Sequence, residues 1–225
     1  GYNSEWTRMT GNVTFEPING WQTNLMVATR LSNAHNKGYY TSQYFSQKME
    51  NHTGYAYHSF SEGRTDNLEL TSKYHNFFGK HRIDGLVGYS YQYNVNEGFN
   101  ANNYDFQNDF FQYNNLNVGL ALKDGKAGMG SYKNDNRLIG FFGRISYGYA
   151  DRYNLLLSVR QEGSSKFGDN NKWGTFPSAS FGWTISNESF MKDLTWINNL
   201  KLRAGYGVTG VIPNDSYQSL TRYAL

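Results

Sequence analysis

Cysteine is absent from the 225 residues, and proline occurs only three times. The first absence excludes a disulfide framework, a cysteine zinc site and a thiol nucleophile. The second excludes a proline-rich, collagen-like or linker-type chain. Long apolar runs are missing too: no stretch of about 18 apolar residues exists, so no transmembrane helix is encoded. Charge is sparse, with 21 basic against 18 acidic residues scattered along the chain for a net +3, which argues against a nucleic-acid-binding stripe. The opening GYNSEWTRMTGN has neither a charged n-region nor an apolar h-region, so a signal peptide is not expected within this piece. What the chain has instead is rings and turn formers: 19 Tyr, 15 Phe, 5 Trp, 24 Gly and 27 Asn, at a mean hydropathy of −0.71. So many aromatics at so low a charge exclude disorder.

The recurring pattern is alternation with period two. From Arg82 to Val95, Ile83, Val87, Tyr89, Tyr91, Tyr93 and Val95 share one face, while Arg82, Asp84, Ser90, Gln92 and Asn94 share the other. Ile139 to Ala150 repeats this, setting Phe141, Ile145, Tyr147 and Tyr149 against Phe142, Arg144 and Ser146. A turn at Ala150-Asp151-Arg152 then leads into Tyr153, Leu155, Leu157 and Val159 against Asn154, Ser158 and Arg160, which predicts a hairpin. Weaker versions lie at Arg8–Glu16, Trp21–Leu31, Leu68–Phe78, Pro177–Ile185 and Leu200–Val208. The expectation is all-β, with about eight antiparallel strands of roughly ten residues each.

The connections alternate between tight and long. Residues 17–20, 79–80 and 150–152 read as tight turns, whereas 32–62, 97–136 and 163–174 read as long loops rich in Asn, Gly, Tyr and Phe. Residues 188–199 read as a longer turn with room for one helical turn. Short turns at one end and long loops at the other suit an outer-membrane barrel. A soluble β-sandwich alternates as well, so the two faces must decide. The apolar faces place Tyr and Trp near strand ends, at Tyr89, Tyr91, Tyr93, Tyr147, Tyr149, Tyr153, Trp183 and Tyr206, as interfacial girdles require. The opposite faces carry Gly, Ser, Asn and Gln with single charges, which suits a hydrated lumen. A non-transporting β-rich carbohydrate-binding or adhesion module is the alternative.

The stretches FGRISYGYADRY, QEGSSKF, WGTFPSASFGWTISNESFM and LKLRAGYGVTG go further. Their positions Arg144, Tyr147, Tyr149, Tyr153, Arg160, Gly163, Ser164, Ser165, Phe167, Trp173, Phe176, Pro177, Ser178, Trp183, Glu188, Phe190, Leu200, Lys201, Arg203, Gly207 and Gly210 fall in the order seen in one family. The chain resembles the C-terminal β-barrel of SusC/RagA-type TonB-dependent outer-membrane transporters of Bacteroidetes, firmly from about residue 137 and more weakly from about residue 8. Gln161-Glu162 stands where that family commonly has an Asp, and Val211 where it often has Asn. The resemblance implies a roughly 22-stranded barrel around a plug, of which residues 1–225 are a partial wall without plug or TonB box. It further implies an outer-membrane location, TonB-driven import of an oligosaccharide or peptide, and a SusD-like lipoprotein partner.

No catalytic constellation is present, and neither enzyme activity nor a cofactor is expected. His35, His52, His58, His75 and His81 lack ligand spacing, so no metal site is expected. Asp169-Asn170-Asn171 reads as a polar turn rather than a calcium loop. Ser164 and Ser165 do not form a nucleophile elbow. Arg144, Arg160, Lys201 and Arg203 are expected to face the lumen beside Glu69, Asp84 and Glu162, as a ladder of cross-strand pairs or a charged pathway. Aromatics in the long connections, flanked by Asn and Asp, suit stacking on sugar rings. Tyr104, Asp105, Phe110 and Tyr113 are the substrate-binding candidates.

Overall fold

Extended, alternating segments closed by tight turns pair with their sequence neighbours, because a two- or three-residue turn leaves no other partner within reach. In the computed structural model, which describes residues 1–166, 172–194 and 196–210, the strands are β1 (Tyr2–Ile18), β2 (Trp21–Thr41), β3 (Gly54–Phe78), β4 (His81–Tyr104), β5 (Gly128–Tyr149), β6 (Tyr153–Ser164), β7 (Trp173–Thr184) and β8 (Lys201–Gly207). They form one sheet in the order β1 to β8. A short helix, α1 (Phe45–Met49), follows β2. Phe167, Asp169, Asn170, Asn171 and Val211, singled out above, lie outside the described residues.

Every predicted strand is present, but the long loops are corrected. Of residues 32–62 only 42–53 stays outside strands, and of 97–136 only 105–127. β3 and β4 run to 25 and 24 residues, well beyond the predicted Leu68–Phe78 and Arg82–Val95. The 188–199 turn contains a 3-10 turn at Ser189–Met191, directly after another at Ile185–Asn187.

The chain divides into two compact units. The first comprises 1–9, 29–65 and 94–135. Its buried side chains gather beneath the 105–127 connection: Ala56, Phe106, Ala121 and Asn103 are each at most 2% exposed. Asn103 holds that connection down. Its Nδ2 donates to the carbonyls of Leu116 at 2.8 Å and Gly119 at 2.9 Å, and its Oδ1 accepts from the Tyr104 amide at 2.9 Å. Three 3-10 turns, at Gln112–Asn114, Leu116–Val118 and Leu120–Leu122, shape the rest.

The second unit comprises 10–28, 66–93 and 136–225. In its registered pairs, Leu157 stands between Ile145 and Ala179, and Ser158 between Arg144 and Ser178. The burial of β6 alternates strictly from Tyr153 to Glu162, and it is the apolar set that is exposed. Ile145, Leu157, Val159 and Phe181 are 43–59% exposed, while Ser158, Arg160 and Ser178 are half-buried. A water-soluble sheet does the reverse, because transfer of apolar area out of water drives its folding.

Two aromatic rows bound this apolar face. Tyr153 stacks on Trp183 at 6.3 Å between ring centroids and pairs with Tyr149 across the hairpin. In the other row Tyr89, Phe141 and Trp173 contact in succession at 5.2 and 6.3 Å. From Tyr153 to Gly163, which pairs with Trp173, the strand advances about 33 Å. A tilt of roughly 40° reduces that to about 25 Å, the height of the apolar band on outer-membrane barrels.

Candidate functional site

The polar face of the second unit is built by register. Phe142, Arg160 and Phe176 form one row across β5 to β7, and Arg144, Ser158, Ser178 and Gly207 form the next across β5 to β8. Arg203 stands opposite Gly182, and Lys201 opposite Thr184. Arg144, Arg160, Lys201 and Arg203 therefore share one face of the sheet. They do not form one cluster. Arg160 donates from Nε to Glu162 Oε1 at 2.5 Å and lies 5.3 Å from the Phe142 ring centroid, so its charge is matched within its own strand. The expected cross-strand ladder is thus partly an i, i+2 pair. Lys201 and Arg203 border one hollow with Asn154 and Ser180.

Arg144 borders a separate hollow of about 400 Å³ together with Glu16, Lys73, His75 and Asp84. There His75 Nδ1 meets Asp84 Oδ1, and Arg82 Nε lies 3.6 Å from the other Asp84 oxygen. Arg82 also donates to Asn154 Oδ1 at 3.0 Å. Lys73, His75 and Arg82 were absent from the sequence-based candidates, although their parity within β3 and β4 assigns them the same face as Asp84.

The candidates of the first unit separate. Tyr104 ends β4 with its ring 4.6 Å from Tyr55 and 4.5 Å from His52. Asp105 has a left-handed φ of 63°, and its Oδ1 accepts from His52 Nδ1 at 3.0 Å and the Thr53 amide at 3.1 Å. These two residues fasten the connection. Tyr113 accepts through its carbonyl from His58 Nε2 at 2.7 Å, and its ring lies 5.0 Å from Lys37 Nζ. Phe110 stands apart, 82% exposed, with its ring edge-on to Phe111. Phe106, another ring expected in a loop, is buried and presents no face to a ligand. Histidines that no sequence spacing joined do meet: His35 Nε2 and His58 Nδ1 are 3.2 Å apart.

At the turn end of the second unit, Glu188 is buried to 7% exposure. It accepts from Tyr153 Oη at 2.6 Å, Trp183 Nε1 at 3.0 Å and Arg152 at 3.1 Å. The hydrogen bond from Tyr153, with that from Trp183 and the Arg152 charge, holds its carboxyl below the ordinary Glu range despite burial. This is a structural knot, and it ties together four positions of the motif stretches quoted above or their immediate neighbours.

Comparison with known proteins accounts for these features. The TonB dependent receptor-like, beta-barrel family matches residues 1–223. TonB-dependent receptor P3 of Formosa agariphila is 37% identical over 151 residues, covering 67% of this chain and 15% of its own length. TonB-dependent receptor SusC of Bacteroides thetaiotaomicron is 45% identical over 80 residues, 36% of this chain and 8% of its own length. The RagAB peptide importer in its open-open state superposes with a TM-score of 0.81 at 21% identity, covering all of this chain and 24% of that one. The chain thus spans about 15% of the length of a curated relative such as P3. With the family match over residues 1–223, the SusC relative and the superposition on the RagAB importer, the chain belongs to the TonB-dependent receptor β-barrel family as an outer-membrane member of SusC/RagA type.

Proposed function

We propose that residues 1–225 are a partial barrel wall in a TonB-dependent importer that carries an oligosaccharide across the outer membrane, working with a SusD-like surface lipoprotein. The observation that supports this reading is the inversion of the faces: exposed Ile145, Leu157 and Val159 alternate with half-buried Ser158 and Arg160. Such a wall solvates a polar path on one side while lipid covers the other. Arg144, Arg160, Lys201 and Arg203 then face the lumen, where fixed charges focus on passing solutes or on the plug. TonB supplies the energy through parts of the protein outside this stretch. The glycan preference follows from the ring-rich first unit, where aromatic faces flanked by amides and hydroxyls match a sugar's C–H face and hydroxyl rim.

Uptake by cells producing the intact transporter tests this. Arg203→Ala lowers uptake of the cognate oligosaccharide while outer-membrane abundance and heat-modifiable migration stay normal. Loss of the TonB complex abolishes uptake. Uptake that persists without TonB removes the energised mechanism, and a cell that accumulates only peptides removes the glycan.

A further inference from the structure

The first unit contains a hollow of about 290 Å³ that no sequence pattern singled out, bordered by Trp6, Arg30, Ser32, Asn96 and Tyr132. Trp6 is 65% exposed and Tyr132 50%, so both rings offer surface. The Arg30 guanidinium carbon lies 5.4 Å from the Trp6 ring centroid, which holds the indole by a cation–π contact.

Two glycines let groups of the border approach their neighbours closely. A Cβ on Gly63 would lie 2.7 Å from Ser32 Oγ and 3.0 Å from Asn96 Oδ1. A Cβ on Gly98, which lies outside the border, would be 2.6 Å from the Phe60 carbonyl oxygen and 2.9 Å from Tyr132 Cε1. A larger residue would push aside the hydroxyl and the amide at the first place, and the Phe60 backbone and the Tyr132 ring at the second. Glycine inside a strand weakens it and marks a close approach, and here that approach seats Ser32, Asn96 and Tyr132, all of which border the hollow. Ser32 spends its proton on the Gly63 carbonyl at 3.3 Å, which leaves its oxygen lone pairs free to accept.

We infer that this hollow is a subsite for a neutral oligosaccharide, an inference that rests on the import reading above. The rings take the C–H face of a sugar by stacking, and Ser32 and Asn96 meet its hydroxyl rim. The charges on the border, two acidic against one basic, disfavour anionic sugars. Glu5 and Glu62 also border the hollow, and Arg30 is the basic residue beside them. That balance gives no surplus positive charge for uronates or sulfate esters. The apolar side chains of a peptide would call for a closed apolar socket, which flat open rings do not supply.

The test is calorimetric titration of the intact transporter in detergent with three probes: short neutral hexose oligosaccharides, oligouronates of similar length, and a mixture of short peptides. Wild type is compared with Trp6→Ala, Trp6→Phe and Asn96→Ala, each first shown to be folded by heat-modifiable migration. Neutral oligosaccharides bind the wild type, Trp6→Ala weakens them about tenfold, as loss of one ring stack predicts, and Trp6→Phe retains most of the affinity. Asn96→Ala weakens them severalfold, and oligouronates bind less well than neutral sugars. Equal binding of neutral sugars to wild type and both alanine variants overturns the subsite and leaves the import reading intact. Binding of peptides or oligouronates alone, or of none of the probes, overturns the subsite together with its neutral-glycan cargo.

Discussion

The hydroxyl of Tyr153, the first residue of β6, donates a 2.6 Å hydrogen bond to the carboxylate of Glu188, 35 residues further along the chain. Trp183 and Arg152 converge on the same carboxylate, so one buried anion fastens the β5–β6 hairpin to the segment that leads from β7 to β8.

The folded-state pKa of Glu188 is depressed, so its stabilising effect is complete above the unfolded value of about 4.3. It is lost as pH falls through the lower folded value. Thermal unfolding in detergent, followed by heat-modifiable migration across mildly to strongly acid pH, should show the wild type losing stability in that window. Glu188→Gln should be less stable at neutral pH and should lack the acid step. A step of equal size in both proteins would assign the acid sensitivity elsewhere.

Adjacent residues of β6 should respond oppositely to charge. Leu157→Arg places a guanidinium against lipid and should cost about 2–4 kcal/mol near the midplane. Ser158→Arg, on the polar face, should cost far less. Refolding yield into lipid vesicles of the intact barrel separates the two, and equal losses would mean that the face assignment is wrong.

Asn103 satisfies two buried carbonyls of the 105–127 connection. The Leu116 carbonyl keeps the Gly119 amide as a donor, so Asn103→Ala costs chiefly the buried hydrogen bond to the Gly119 carbonyl, about 1–3 kcal/mol. The effect should be local: limited proteolysis should cut within 105–127 in the variant before the strands are lost. An unchanged cleavage pattern would show that the connection is held by other contacts.

Ala150 and Asp151 both adopt left-handed φ, 52° and 53°, in the tight turn between β5 and β6. An L-residue there costs about 1–2 kcal/mol. Ala150→Gly should therefore stabilise the hairpin by up to about 1 kcal/mol, since added chain entropy in the unfolded state offsets part of the relief. Chemical denaturation in micelles measures it, and a loss of stability would mean that the Ala150 methyl makes a contact worth more than the strain.

Phe110 and Tyr104 should behave differently although both are candidate ligand contacts. Tyr104 packs on Tyr55 and His52, so Tyr104→Ala should lower stability. Phe110 is exposed, so Phe110→Ala should leave stability within about 0.5 kcal/mol and reduce only cargo capture. Normal uptake in folded Phe110→Ala would restrict that ring to packing on Phe111.

Face assignment was legible in the sequence because side-chain direction in a strand is fixed by parity, a local property. Leu157 and Ser158 could be assigned to opposite sides from the string alone, and the tight turns after Ile18, Phe78 and Tyr149 could be read from their own residues. The strand lengths could not. Beyond Leu31, and before Leu68, the sequence runs through SNAHNKGYYT and GYAYHSFSEGRTDN with no apolar alternation, yet those segments pair as strands. Alternation reports a difference between two media, and where water lies on both sides of a wall the backbone hydrogen bonds persist while the pattern vanishes.

The same division runs through the candidate sites. The sequence by itself determined which residues share a face and which turns close the hairpins, because both depend on neighbours one or two residues away. Only the tertiary structure decided that Asp105 and His52 fasten a connection, that Glu188 gathers three donors, and that Trp6, Ser32, Asn96 and Tyr132 border one hollow. Those groups come from strands tens of residues apart, and register across the sheet, rather than spacing along the chain, brings them within hydrogen-bonding or stacking distance.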